Sequence, residues 1–386
     1  MLGGPFNQIG IEKYSMINRQ RYAKLTQDLK HKFQALHEIV FAAREELNQN
    51  IWDYLRGGTE TETTLKRNRL ALDSIAFRPR VLRDMRKVDA SSKLMGKKFR
   101  LPICLAPIGS LESFDPEGGV AAMRAASEFG CALMLSSVSR ISMEEVAKAG
   151  NGFKIAMLYK RGGDTFLDNY VRRAIDAGYD AFCLTVDSAN YSRRERDIAN
   201  RFVKPWRTGK GADWQAALNW ADVERYKKKY SLPLILKGIA TAEDARLGVE
   251  HGVDVIYVSN HGGRQLDHGL GSIDALPEVV DAVSGKSLVA VDGGFSRGTD
   301  IIKGIALGAD FIGLGRMLCY GLAAAGTAGV VRMLELLEEE VKLGLGLMGA
   351  NNYSMIEPSQ LKVTQPVSDG DLLSAFPLLE SDSFLY

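Results

Sequence analysis

Several features that would assign a chain to a specialised class are scarce or missing here. Cysteine occurs four times in 386 residues, at Cys104, Cys131, Cys183 and Cys319, with no C-x-x-C pair. Three of them sit in apolar runs, so buried, reduced thiols are expected rather than a disulfide framework. Charge of one sign is also lacking. Forty-nine Lys and Arg against 47 Asp and Glu leave a net +2, which gives no electrostatic case for nucleic acid or for a polybasic membrane surface. No stretch approaches the roughly 18 apolar residues of a membrane span. The first residues carry neither the basic nor the apolar part of a secretory leader, so a cytoplasmic protein without a membrane partner is expected. What is present is 46% apolar and 25% charged residues, enough to bury a sizeable core.

Residues 20–48 place Leu25, Leu29, Phe33, Leu36 and Val40 at spacings of three or four, which predicts an amphipathic helix. His31 and His37 lie on it and are expected to face solvent. From residue 100 a rhythm sets in. Apolar runs at 101–107, 131–136, 153–159, 180–187, 232–237, 254–260, 287–292 and 310–315 alternate with helical patterns such as SMEEVAKAG and RGTDIIKGIALG. Eight strand–helix units imply a parallel sheet closed into a (β/α)8 TIM barrel with an N-terminal helical extension. A doubly wound open sheet is the competing architecture. The expected organisation is 1–99 as helical segment and lead-in, 100–350 as barrel, and 351–386 as an arm lying over a neighbour. The long connection 188–219 is a lid candidate.

Chemistry in such a barrel sits where strands end. Those positions hold Ala106 to Gly109, Ser136, Met157, Tyr159, Thr185, Asp187, Lys237, the run from Ser259 to Arg264, Asp292 to Gly294, and Gly315 with Arg316. Hydroxyls, a lysine, a histidine, an aspartate and glycines thus collect at one end of the apolar runs, which packing alone does not explain.

The segments LTVDSANYSRRERDIANRF, VSNHGGRQLD, VDGGFSRGTDIIKGIALGA and GLGR resemble the FMN-dependent 2-hydroxy-acid oxidase and dehydrogenase family, over about residues 45–350. The resemblance implies an FMN-binding barrel that oxidises a small L-2-hydroxy acid and passes electrons to O2 or another acceptor, commonly as a homotetramer. It makes His261 the base, Asp187 its orienting partner, and Arg264, Arg194, Tyr54 and Tyr159 the substrate-binding residues. An imidazole accepts a proton near neutral pH, and a guanidinium fork matches a carboxylate. Lys237 would stabilise the anionic reduced ring. Pro107, Ile108 and Gly109 would line that ring, with Ser136, Met157, Thr185 and Ser259 around it. Backbone N–H groups of Gly293, Gly294 and Gly315 would hold the phosphate with Arg316 adding charge, and Asp292 and Ser296 would belong to the same cofactor site.

Three positions depart from the family pattern. Met157 stands where a Gln usually does, Ser296 replaces the first of two arginines and leaves Arg297, and Gly109 replaces a common Ala. These changes predict a lowered flavin potential. The GxGxxG spacing of Gly344, Gly346 and Gly349 follows a charged helical run rather than a strand, so it is not read as a dinucleotide site. His261, Asp267 and His268 lack metal-ligand spacing, so no metal is expected. Two other functions compete: a same-fold FMN enzyme acting on an amine or larger intermediate, and a non-catalytic flavin binder.

Overall fold

The computed structural model describes residues 27–202 and 211–380. Its centre is eight strands, β1 (Ile103–Leu105), β2 (Ala132–Ser136), β3 (Phe153–Leu158), β4 (Ala181–Thr185), β5 (Leu234–Ile239), β6 (Val255–Val258), β7 (Leu288–Val291) and β8 (Phe311–Leu314). They close into a parallel barrel in chain order, with β8 paired back onto β1. Seven strands fall within an expected run, and β5 overruns its run, 232–237, by two residues. Strands such as β1, β2 and β4 are buried at every position, because helices cover one face and barrel packing the other. That is why they read as continuous apolar runs rather than alternating ones.

The barrel interior is filled by Cys104, Ala132, Met134, Ile155, Met157, Cys183, Ile235, Tyr257, Ala290 and Phe311. A hairpin of Ser92–Leu94 and Lys97–Phe99 closes its lower end, contributing Leu94 and Phe99 to the same cluster. Met95 and Gly96 turn it with φ of 46° and 79°, the conformation that suits a two-residue hairpin loop. With the interior packed from below, the buried polar residues Thr185, Lys237 and Ser259 stand at or near the upper strand ends.

All four cysteines are free and buried. The last helix, Arg316–Met348, is interrupted by non-helical backbone at Ala325 and Gly326. It is apolar and long enough by composition to cross a membrane, beyond what the run lengths predict, but 72% of its most apolar window is buried in the protein. It is the helix that closes the barrel's outer ring. Gly349, at φ 75°, caps its C-terminus, so the GxGxxG spacing is a helix end and opens no βαβ unit.

The helix predicted over 20–48 differs in its details, and its residues 20–26 lie outside the described residues. Helical structure stops at 33–35 and resumes as Leu36–Glu46. Arg332 Nε donates to the Phe33 carbonyl at 2.8 Å, and a Glu38 oxygen accepts from the Gln34 and Ala35 amides. Leu29, Phe33, Leu36 and Val40 are buried, as their spacing predicts. His31 is exposed. His37 is not: it is 6% exposed, edge-on to Phe376 at 5.7 Å, contrary to the solvent-facing expectation. Its burying partner comes from the C-terminal arm. Within that arm, Leu361–Val363 pairs antiparallel with Ile75–Phe77 of the lead-in segment.

Candidate active site

The rim of the barrel holds a cleft of about 290 Å³. Seventeen of the residues singled out in the sequence line it: Tyr54, Ala106, Pro107, Ile108, Gly109, Tyr159, Arg194, Lys237, His261, Gly262, Arg264, Asp292, Gly293, Gly294, Ser296, Gly315 and Arg316. Asp187 stands behind His261. Ser136, Met157, Thr185 and Ser259 are buried beside these residues at the strand ends.

His261 follows β6 at φ 60°, succeeded by Gly262 at 65° and Gly263 at 75°. Three left-handed residues in a row turn the loop sharply and project the imidazole over the barrel. The glycines are required: a Cβ on Gly263 would lie 2.5 Å from the Leu65 backbone. His261 Nδ1 meets both Asp187 oxygens, at 3.1 and 3.2 Å, while Nε2 faces the Tyr159 hydroxyl at 3.1 Å. Burial lowers the His261 pKa, and although Asp187 pulls it up, Lys237 and Arg194 add to the lowering, so the net shift is down. The ring is therefore neutral near pH 7 and able to take a proton. Burial alone would raise the Asp187 pKa, but His261 and Lys237 outweigh it and hold the carboxylate ionised.

Two arginines grip the C-terminal end of the helix Gln49–Arg56, where unpaired carbonyls carry partial negative charge. Arg264 Nη1 donates to the Tyr54 and Gly57 carbonyls, at 2.7 Å each. Arg316 donates to Leu55, Gly57 and Gly262 carbonyls at 2.9–3.1 Å. Arg264 is thus left with its Nε–Nη2 edge free among the described residues. Burial and the nearby Arg194 lower its pKa to about 10, so it stays charged near neutrality. The same grip seats Tyr54, whose ring lies under the Arg264 guanidinium at 4.9 Å and whose hydroxyl donates to the Gly109 carbonyl at 3.2 Å. Arg194 lies over the Tyr191 ring at 4.8 Å.

At the end of β5, Lys237 Nζ donates to Ser259 Oγ at 2.7 Å and pairs with Asp292 at 3.0 Å. Ser259 in turn donates to Asp292 at 2.6 Å. Burial opposes the lysine's charge, but Asp292 and Asp187 outweigh it and raise its pKa. A fixed cation therefore stands at the cleft wall. Next to it in register, Thr185 is fully buried, with its hydroxyl unpartnered among the described residues.

The glycine loop after β7 forms the other end. Gly293 and Gly294 have φ of 106° and 86°, and a Cβ on them would approach Ser272 Oγ at 2.6 Å and the Asn68 carbonyl at 3.0 Å. The loop is held from behind by Arg69, which donates to the Gly294 carbonyl and pairs with buried Asp300 at 2.7 Å. Asp300 accepts from the Ser296 and Arg297 amides. The Arg297 guanidinium turns away from the cleft to Glu340 and to the Ala375 carbonyl. The positive charge in this wall is Arg316, whose guanidinium is engaged by the carbonyls named above.

Part of the lid candidate lies over the site. Ser192 Oγ donates to the Arg264 carbonyl at 2.5 Å, and Arg196 pairs with Glu62 at 2.6 Å. Residues 203–210 of that segment lie outside the described residues. Beyond them Gln215 lines the cleft, accepting from the Lys160 amide and donating to the Thr185 carbonyl. Asp267 is engaged by Thr61 and Thr64 at the start of the helix Thr63–Asp73.

Sequence reasoning missed Phe114, Val138, Tyr191, Gln215 and Leu372 in the cleft wall, and Arg69 with Asp300 behind it. Tyr191 lay within a quoted motif beside Arg194, and Asp300 sits three residues after Arg297, a capping spacing. The others carry no local signal.

The residues fit a flavin mononucleotide. Glycine backbone suits a phosphate, a buried lysine suits an anionic ring edge, and the Thr185 hydroxyl awaits a polar partner.

A profile of the FMN-dependent dehydrogenase family matches residues 43–211 and 207–363. Glycolate oxidase 1 of Oryza sativa subsp. indica is 40% identical over 366 residues, spanning 89% of this chain and 98% of its own length. L-lactate oxidase of Nostoc sp. is 38% identical, spanning 84% and 97%. The crystal structure of mandelate oxidase with benzoyl-formic acid superposes with a TM-score of 0.81 at 40% identity, covering 86% of this chain and 99% of that one.

Proposed function

This chain belongs to the FMN-dependent dehydrogenase family, and we propose that it oxidises an L-2-hydroxy acid to the 2-oxo acid with His261 as the proton acceptor. It is an oxidoreductase acting on the CH–OH group of 2-hydroxy acids, and FMN is its cofactor. One arrangement supports the role of His261 above all. A neutral imidazole, oriented by Asp187 through Nδ1, presents Nε2 toward the cleft beside the free edge of Arg264.

The substrate carboxylate docks on the Nε–Nη2 edge of Arg264, with Arg194 adding charge. Tyr54 and Tyr159 present hydroxyls beside it, and burial raises the pKa of both, so they remain protonated donors. His261 Nε2 accepts a proton from the bound acid, and Asp187 stabilises the imidazolium that forms. Bound FMN supplies the two-electron acceptor. Pro107, Ile108 and Gly109 would hold one side of it, with Lys237 and Thr185 meeting its polar edge and Gly293, Gly294 and Gly315 its phosphate.

Phe114, Val138 and Tyr191 make this end of the cleft apolar. At Gly109 a Cβ would come 3.3 Å from Val138 Cβ, so the glycine keeps that space open. These walls favour a substrate with an apolar side chain larger than that of glycolate. O2 is the acceptor in this reading, and a homotetramer is its assembly, which light scattering tests. The decisive experiment for the activity is anaerobic flavin bleaching by a panel of 2-hydroxy acids. Rapid bleaching by apolar members is expected; no bleaching by any member overturns the reading.

A further inference from the structure

The family match ends at residue 363, and the chain beyond it builds a wall of the cleft. Leu372 lines the cleft and is 5% exposed, yet it belongs to neither apolar core cluster. Its side chain is buried and borders the cleft. Its position is fixed on both sides. Asp371 stands 3.8 Å from Arg56, the last residue of the helix whose carbonyls Arg264 and Arg316 grip. The Ala375 carbonyl accepts from Arg297 at 3.0 Å, immediately after Ser296 of the glycine loop. Between these two ties the chain folds into a compact turn, with Ser374 Oγ donating to the Asp371 carbonyl and the Phe376 amide to the Leu373 carbonyl. Phe376 anchors the turn. It is 1% exposed, packed edge-on against His37 at 5.7 Å and Tyr320 at 6.4 Å.

From this placement we infer that the C-terminal arm is part of the cofactor site, with Leu372 sealing the phosphate end of the FMN cleft from water. The inference rests on the reading that the cleft holds FMN with its phosphate on the 293–296 loop. Its physical basis is the composition of that end. Arg297, which could have met the phosphate, is committed to Glu340 and the arm, so backbone N–H groups must carry more of the binding. Hydrogen bonds from amides to an anion strengthen as water is excluded and the local dielectric falls. An apolar cap supplied by Leu372 does this without competing for the phosphate oxygens. Committing Arg297 to the arm also couples the loop's position to the arm's.

The test is FMN titration of the full-length apoprotein, followed by quenching of flavin fluorescence, with riboflavin as the ligand lacking the phosphate. In Leu372→Ala the FMN dissociation constant is expected to rise about tenfold, a loss typical of one buried aliphatic contact. Riboflavin binding should change less than about twofold. Leu372→Met, which conserves volume, should bind FMN within about twofold of the parent. Phe376→Ala should weaken FMN in the same direction by loosening the turn, and thermal melting of the apoprotein shows that it remains folded. Parent-like FMN affinity in Leu372→Ala overturns the proposal, as does an equal loss for FMN and riboflavin. A parent chain that binds no FMN overturns the cofactor reading and the arm's role with it. A parent that binds FMN beside an indifferent Leu372→Ala overturns the arm's role alone.

Discussion

Substituting Asp187 by Asn probes the base and its orienting partner together. The imidazolium formed at His261 lies 3.1 Å from an Asp187 oxygen. At an effective dielectric constant of about 20, a full charge pair at that distance is worth about 5 kcal/mol. Part of this is offset by the cost of keeping a carboxylate buried, so Asp187→Asn should slow flavin reduction by about 10²–10³-fold at saturating substrate, at 1.36 kcal/mol per decade. The pH dependence supplies an independent sign. His261 must be neutral to accept a proton, so the rate rises with pH through its pKa. Burial, aided by Lys237 and Arg194, holds that pKa below the usual 6.5, against the upward pull of Asp187. Removing the carboxylate removes this upward pull. The acid limb should then move to lower pH while the plateau falls. Anaerobic stopped-flow reduction between pH 4.5 and 8, on protein shown to hold stoichiometric FMN, reads both quantities. A plateau within about threefold of the parent, or a limb that moves upward, refutes the role given to Asp187.

His261→Ala should retain FMN but lose about 10²–10⁴-fold in flavin reduction; a variant within about threefold of the parent removes the base assignment. In Arg264→Lys the planar fork is lost and the Tyr54 and Gly57 carbonyls lose their shared donor, so KM should rise and kcat fall together. An unchanged KM for the preferred acid shows that the carboxylate docks elsewhere. Met157 is fully buried in the barrel interior, and Met157→Gln would add a polar contact beneath the flavin. A contact worth about 1.5–3 kcal/mol to the reduced, charged ring corresponds to a rise of about 30–65 mV in midpoint potential; no change within a few millivolts counts against the idea that this methionine lowers the potential.

The barrel was legible because its eight strands are covered on both faces, so each appears as an uninterrupted apolar run ended by small or polar residues. The chemistry at the rim was legible for a related reason. Once the strand ends are located, inward-pointing positions such as Thr185, Lys237 and Ser259 follow from alternation along each strand, and the left-handed turn at 261–263 announces itself through its glycines. Positions that depend on distant partners were not legible. His37 has the spacing of an exposed helix residue, yet it is buried with Phe376, more than 300 positions away, packed edge-on against it. At the break in the same helix, the Phe33 carbonyl is met by Arg332 from the far end of the chain. Arg316 follows β8 in the chain, and nothing local announces that its guanidinium reaches the carbonyls of a helix from another part of the chain. Gln215 and Leu372 sit in segments with no motif. The sequence by itself determined the element order and the barrel, and gathered polar groups at the strand ends, since these depend on local periodicity; the roles of those groups came from the family resemblance. The tertiary structure alone decided which edge of Arg264 is free, which way Arg297 turns and which residues close the cleft, because those depend on contacts that no local pattern encodes.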